Sequence, residues 1–318
     1  MLTLEALQSQ IHSIEDLQAI VRTMKALAMV SIRQYEKART SLTHYNATIE
    51  LGLQGLLQQR RFSDSPAGRL PLASSSPDHA LVGVILFGSD HGLCGQFNEQ
   101  IVTYALDQLH HRHIHPDQCL LDAVGGRLIP YLDAAQHPVQ QQFSLPSSLA
   151  GTPRLIQELV LAIKQWRFPN HEDQRPVVNE PADMPQPEID RILLFYNQSL
   201  SATTFQPFTL QLLPLDPTWL HQLEQRPWHS SARPMVSPHW QPLLSALIRQ
   251  YLFVALHRAT VESLASENAA RLSSMQAAEK NIEERLTDLT AEYRQQRQNS
   301  ITGELLDIVS GFEALKNS

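Results

Sequence analysis

The side chains best suited to chemistry gather in one short run, Gly88-Ser89-Asp90-His91-Gly92-Leu93-Cys94-Gly95. A glycine-rich turn between a strand and a helix can present backbone N–H groups to a phosphate. The spacing here matches neither G-x-G-x-x-G nor the P-loop pattern, and no P-loop lysine follows. By itself the run reads as a tight turn. Asp90, His91 and Cys94 offer a thiol with neighbouring bases, but adjacency along the chain does not bring a base onto a thiol, and a partly buried cysteine is the commoner state. A second concentration of ligand atoms, His110-His111-Arg112-His113-Ile114-His115, lacks the carboxylates or cysteines that would complete a metal site, and reads as a solvated helix end. No paired carboxylates, H-E-x-x-H or G-x-S-x-G occur. The chain is expected to hold no catalytic site, no cofactor and no metal.

The elements that position these residues are marked out by proline. All 20 prolines fall between Pro66 and Pro242, and proline inside a helix costs about 3 kcal/mol. The two proline-free ends, 1–65 and 243–318, predict two long helices, placed over 1–60 and 239–318, flanking an α/β domain over 78–217. From Leu17 the first end repeats at alternating fours and threes: Val21, Met24, Ala28, Ser31, Tyr35, Ala38, Leu42, Tyr45, Ile49, Gly52 and Leu56. This is a coiled-coil seam. Leu4, Leu7, Ile11 and Ile14 precede it in a shifted frame. The second end answers with Val254, Val261, Ala265, Leu272, Met275, Ile282, Leu286, Leu289 and Tyr293. Arg258, Asn268 and Glu279 interrupt that seam, and either fix register or face solvent where the pair splays. The fold class is therefore α/β, with a long antiparallel coiled coil of the terminal helices and a central Rossmann-like domain.

In the middle, 80–87, 119–124 and 189–196 read as buried strands, 205–213 as an edge strand, and 94–109 and 152–166 as helices. The stretch 168–188, with five prolines, reads as a solvated loop, and 218–239 as a second irregular stretch. A net charge of −7 argues against nucleic acid as a partner. Two cysteines make no disulfide framework and suit a reducing compartment. No window has the roughly 18 apolar residues of a membrane span. The start of the chain reads as helix rather than signal or transit peptide.

The last turns differ from the rest of the second helix. Ile301, Leu305, Leu306, Ile308, Val309, Phe312 and Leu315 place apolar groups on more than one helix face, an aggregation hazard unless something surrounds them. From these residues three readings stand: a subunit whose helical arms serve a larger assembly, an α/β nucleotide-binding enzyme with helical dimerisation arms, and a passive coiled-coil scaffold.

The tail is more specific. Ile301-Thr302-Gly303-Glu304-Leu305-Leu306-Asp307-Ile308-Val309-Ser310-Gly311 resembles the C-terminal signature of the γ subunits of F-type ATP synthases. Ser266-Glu267-Asn268-Ala269-Ala270-Arg271-Leu272 with Met275 resembles that family's Ser-Glu-x-Ala-Ala-Arg-Met segment. Ser89-Asp90-His91-Gly92-Leu93-Cys94-Gly95 with Asn98 resembles its Ser-Asp-x-Gly-Leu-Cys-Gly loop. Tyr196-Asn197, Leu212-Leu213-Pro214-Leu215, and Gln18, Ile20, Met24, Lys25, Ala28 and Arg33 follow in the family's order. Leu272, Lys280, Phe312 and Glu313 depart from it, as in a divergent member.

The resemblance implies a central-stalk rotor turning inside a ring of α and β subunits, with its α/β domain against the ε subunit and the membrane c-ring. It implies that Arg297, Gln298, Thr302 and Glu304 contact β in a catch region. Met24 and Lys25 would face β at the shaft neck, and Ile301, Leu305, Ile308, Val309 and Phe312 would form an apolar bearing tip. It further implies attachment at the cytoplasmic face of a bacterial inner membrane through partners, with the active sites on β.

Overall fold

The computed structural model describes residues 3–60, 81–167, 189, 191–201, 204–228, 230–232, 235 and 240–316. The side chains of residues 60 and 311–316 are not part of that description. The 168–188 stretch therefore lies outside the described residues, as does the side chain of Phe312. Six helices and five strands occupy the described chain: α1 (Leu4–Arg60), β1 (Val82–Phe87), α2 (Phe97–His111), β2 (Cys119–Val124), α3 (Ile129–Ala134), β3 (Val139–Phe143), α4 (Thr152–Arg167), β4 (Arg191–Ser199), β5 (Phe205–Leu213), α5 (Pro217–Gln225) and α6 (Trp240–Lys316). Two compact units result, Met1–Val30 with Arg271–Ser318, and Ser31–Ala270.

In the larger unit the strands form one sheet in the order β3-β2-β1-β4-β5. β1 pairs in parallel with β2 and β4, β2 in parallel with β3, and β5 runs antiparallel at the edge. β1 is buried throughout, as a strand covered on both faces must be. Val82, Val84 and Leu86 point toward α2 and α3, where Ile101, Val102, Ala105, Leu109, Leu128 and Leu132 complete one core. Ile85 and Phe87 point the other way, onto α4 and the 255–259 segment of α6. Each such fully buried side chain is worth about 1.5–3 kcal/mol. Gly83 leaves room for a tryptophan: a Cβ there would lie 2.6 Å from the Trp166 ring.

The expected strands are all present and 205–213 is indeed an edge. Two elements go beyond the sequence reading. β3 forms the opposite edge, and α5 occupies the start of the stretch read as irregular. Asp216 caps α5, accepting from the Thr218 backbone N–H at 2.8 Å, with Pro217 as its first residue. α5 packs Trp219, Leu220 and Leu223 on Leu53 and Leu57 of α1 and on Leu244 and Leu247 of α6. Gln54 Nε2 donates to the Arg226 carbonyl at 2.7 Å, and Gln58 Nε2 to the Glu224 and Arg226 carbonyls.

The long helices pair antiparallel in each unit. In the larger, residues 49–57 pack on 244–254, and Tyr35 packs on Val261, Leu264 and Ala265. In the smaller, Lys25 meets Glu279 while Arg22 meets both Glu279 and Glu283. Of the expected seam on α6, Val254, Val261, Ala265, Leu272, Met275 and Leu289 are buried, whereas Ile282, Leu286 and Tyr293 are only half-buried. On α1 it holds less closely. Ile32 and Leu53 are buried instead of some heptad positions, and Leu17 and Tyr45 are exposed. The three polar interruptions divide in role. Glu279 bridges the helices, Asn268 donates to the Leu264 carbonyl of its own helix, and Arg258 pairs with Glu262.

Asp122 is the anomaly of the sheet. It sits on β2 beside the register shift with β3 and is 1 % exposed. Neither carboxylate oxygen has a hydrogen-bond partner of good geometry. Burial pushes its pKa from 3.8 up to about 7, and the nearby Gln141 backbone amide offsets only part of that. A raised carboxyl pKa contributes stability that is complete below the unfolded value and lost as pH rises to the folded value. The loss therefore falls between about pH 4 and pH 7, and amounts to at most about 4 kcal/mol. Asp122→Asn is expected to abolish that part of the pH dependence, seen as a denaturation midpoint that no longer falls across this window.

Candidate functional site

The Gly88–Gly95 run is a structural knot. The Ser89 backbone N–H donates to Asn98 Oδ1 at 2.9 Å, and Asn98 Nδ2 returns a bond to Ser89 Oγ at 2.8 Å. Asp90 accepts from the Gly126 N–H at 2.8 Å on one oxygen and from the Leu145 N–H at 2.6 Å on the other. One carboxylate thus ties the loop after β1 to the loops after β2 and β3. Gly125 lets the second loop approach: its φ is +109°, and a Cβ there would stand 2.8 Å from the Ser89 nitrogen. Both oxygens of Asp90 are engaged, so it is poorly placed to serve as a base. Cys94 is buried, with Sγ 3.5 Å from Ser89 Oγ and 3.7 Å from the His91 carbonyl oxygen. The contact is with the His91 backbone, so the thiol-with-base arrangement is not assembled. The other cysteine, Cys119, has its pKa pushed up to about 12 by burial.

Of the histidine tract, His110, His111, His113 and His115 are all exposed, and His111 Nδ1 lies 2.6 Å from the Asp107 carbonyl oxygen. Among the described residues no group of three or more His, Cys, Asp and Glu side chains could hold a metal. No described helix is long and apolar enough to cross a membrane. A groove of about 680 Å³ runs between β3 and α4, lined in part by Gln141, Ser144, Arg154, Glu158 and Gln165. Arg154 and Glu158 pair with each other there at 3.0 Å.

The same loop helps to hold α6. Cys94 and Phe97 form a small cluster with Ala270, and Phe205 packs on it. Ser266 Oγ donates to the Asn197 carbonyl at 2.9 Å, and Asn197 Nδ2 donates to the Phe97 carbonyl at 3.3 Å. Arg39 of α1 donates to the Ser199 carbonyl at 3.3 Å. Every residue of 259–270 is buried. Such close approach needs small side chains, supplied by Ala259, Ser263, Ala265, Ser266, Ala269 and Ala270. The Ser-Asp-x-Gly-Leu-Cys-Gly, Tyr-Asn and Ser-Glu-x-Ala-Ala segments, far apart in sequence, therefore meet at one helix–sheet junction.

In the smaller unit, Lys25 and Arg22 donate to the two oxygens of Glu279, Arg22 at 3.1 Å. Lys25 first, then Arg22, holds the Glu279 carboxyl below its usual range. Met24 is half-buried. Arg297, Gln298, Thr302 and Glu304 are all exposed. The Thr302 hydroxyl donates to the Gln298 carbonyl at 2.8 Å, and Ser300 Oγ lies 3.5 Å from Glu304 Oε1. Ile301, Leu305, Leu306, Ile308 and Val309 are 48–67 % exposed, over an arc of roughly 160° at 100° per residue. Arg297, Gln298, Thr302 and Glu304 thus share an exposed helix end with Ile301, Leu305, Ile308 and Val309. The sequence reading did not find the Asp90 tie or the bridging of Glu279. For Glu279 the available signal was a carboxylate at a seam position opposite two basic residues.

If Asp90 is structural, Asp90→Ala leaves two backbone amides without their acceptor and is expected to cost about 2–4 kcal/mol. His91→Ala, at an exposed position, should stay within about 0.5 kcal/mol of the parent. Denaturant unfolding of the two variants checks this; a large loss from His91→Ala would restore a chemical role to the loop.

The family model described as ATP synthase matches residues 3–315. Among curated relatives, the ATP synthase γ chain of Sorangium cellulosum is 29 % identical over 341 residues, covering 99 % of both chains. That of Synechococcus sp. (strain PCC 6716) is 26 % identical over 335 residues, covering 98 % of this chain and 99 % of its own. Among solved structures, the rotor of Euglena gracilis mitochondrial ATP synthase matches with a TM-score of 0.56 at 15 % identity, over 94 % of this chain and 98 % of that one. A chain of that enzyme's OSCP/F1/c-ring structure matches with a TM-score of 0.59 at 17 % identity, over 98 % and 94 %. At such identities the structures speak for the fold. With the family model running from the first turn of α1 to the last turn of α6, and relatives matched along their whole lengths, the chain belongs to the γ chains of the ATP synthase family.

Proposed function

We propose that this chain is the central-stalk rotor, the γ subunit, of an F-type ATP synthase. It couples ion flow through a membrane ring to ATP synthesis at sites on the β subunits. The observation that carries the reading is the end of α6, where large apolar side chains stand exposed around much of the helix in a chain of this family. An isolated helix end of that kind is unfavourable in water, and a sleeve of α and β subunits would cover it. Rotation of an asymmetric helix pair inside such a sleeve presents a different surface to each β site in turn.

On this reading the chain is non-catalytic alone, and residues 1–60 and 239–318 form the shaft. Arg297, Gln298, Thr302 and Glu304 make charge-assisted hydrogen bonds to β that form and break as the shaft turns. Met24 and Lys25 mark the neck, with the Lys25 charge already shared with Glu279. Ile301, Leu305, Ile308, Val309 and Phe312 run in the bearing. The α/β domain over 78–217 is the foot, against the ε subunit and the c-ring. The knot at Asp90 and the buried 259–270 segment suit a part that must pass torque between helix and sheet without local yielding. The protein sits at the cytoplasmic face of a bacterial inner membrane, held there by those partners. A nucleotide-binding enzyme is disfavoured because the glycine-rich loop uses its polar groups on the protein itself.

Co-expression with the cognate α and β subunits is expected to yield a stable ATP-hydrolysing complex containing this chain. Deleting residues 301–318 should weaken assembly or coupling. Arg297→Ala and Glu304→Ala should each slow steady-state hydrolysis by up to roughly tenfold, the equivalent of one charge-assisted contact of about 1.5 kcal/mol. Nucleotide turnover by the isolated chain would reject the reading.

A further inference from the structure

In the smaller unit the two long helices share a shallow seam. On α1 no side chain between Leu7 and Ala28 is buried, and on α6 none between Met275 and Leu289. Ile11, Ile14, Val21 and Met24 on α1 and Ile282 and Leu286 on α6 are only half-buried. Half-buried aliphatic contacts resist separation, but they discriminate poorly between one axial setting and the next, because a slip exchanges one apolar contact for another. Polar groups at seam positions discriminate far better.

The inter-helix ion pairs among the described residues of this unit lie inside that gap. Glu279 is 17 % exposed and takes Lys25 on one oxygen and Arg22 on the other; Arg22 also reaches Glu283 Oε1 at 3.5 Å. Two cations of one helix are thus matched to two carboxylates one turn apart on the other. A slip of one turn, about 6 Å, would set Glu283 against Lys25 and Thr287 against Arg22, losing a carboxylate. A slip the other way would set Met275 against Lys25. Only one setting satisfies all four groups. Lys25, which the family resemblance assigns to a contact with β, has its ammonium group turned to its own chain.

We propose that Glu279 is a positioning residue that, with Lys25 and Arg22, pins the axial register of the two helices and so the phase at which the rotor presents its faces to the β sites. This rests on the rotor reading. Loss of the pin lets the helices slide under load, so ATP is hydrolysed without a full measure of ion transport. The pin acts through register rather than through contact with another subunit.

The test uses the whole complex in sealed vesicles, with ATP hydrolysis and ATP-driven ion uptake measured together. Glu279→Gln and the pair Arg22→Gln/Lys25→Gln are each expected to lower uptake per ATP by about threefold, and the triple variant to be no worse than the Arg22→Gln/Lys25→Gln pair, since that pair already removes every ion-pair contact to Glu279 and Glu283. Lys25→Arg, which keeps the charge, is expected to restore the parental ratio. Losses that multiply in the triple variant would overturn the proposal, because they would place Lys25 on another subunit. So would an unchanged ratio in Glu279→Gln, or a Lys25→Arg variant as impaired as Lys25→Gln. If the parental chain does not assemble with α and β at all, the rotor reading itself fails, an outcome distinct from all of these.

Discussion

Residues 259–270 of α6 have no solvent-facing side, and most features of the larger unit follow from that. A helix buried all round must find partners for most of its polar groups, and here Ser263 Oγ and one oxygen of Glu262 go without. Ser266 bonds to the Asn197 carbonyl, Thr260 to the Leu256 carbonyl, Asn268 to the Leu264 carbonyl, and Glu262 to Arg258. The small residues between them let α1 on one side and the loop after β1 on the other come within packing distance. Asn197 then relays to the start of α2 through the Phe97 carbonyl, and the Asp90 knot holds that loop against the ends of β2 and β3. Were 259–270 a surface helix, neither the alanines nor the loop would need to be as they are.

The unit holds carboxylates out of water in three ways. Asp90 is satisfied by two backbone amides. Glu262, with its side chain 1 % exposed, leans on Arg258, and its charge adds to burial in pushing the Tyr196 phenol upward. Asp122 has neither a cation nor a well-placed donor, and its environment favours the proton instead. The first two are held by hydrogen bonds and an ion pair. The third sits without such a partner, next to the edge strand where the ladder already shifts register.

Legibility in the sequence tracked burial. β1, β2 and β4 are nearly continuous apolar runs because both faces are covered, and they were readable as strands. β5 alternates because it is an edge, and that too was readable. β3 was not: Val139-Gln140-Gln141-Gln142-Phe143 is an edge whose middle residues are exposed, so no period distinguishes it from a loop. α5 did carry a signal, since Asp216-Pro217-Thr218 is an N-cap followed by a proline at the first helical position. It was read as part of an irregular stretch because the helix is only nine residues long. The heptad on α6 was legible, though Ile282, Leu286 and Tyr293 are only half-buried. That on α1 was blurred, in part because Leu53 packs with α5 as well as with the partner helix. The candidate site divides similarly. The run of apolar residues at 301–309 is visible in the sequence, whereas the Asp90 tie depends on N–H groups 36 and 55 residues away, which no local pattern reports.

The smaller unit obeys the opposite constraint. Two paired helices can bury one stripe each, and Leu17, Ile20 and Leu27 are exposed on α1, as are Ile301, Leu305, Leu306, Ile308 and Val309 on α6. A wider seam of leucines would bury more area, but it would thicken the pair and make its register depend on interchangeable contacts. Small and half-buried seam residues keep the pair slim at a cost in stability, and the charges at Arg22, Lys25, Glu279 and Glu283 supply the discrimination that area does not. Partly exposed ion pairs add little to the free energy of folding, so their arrangement here is better understood as choosing one setting among several of similar apolar energy.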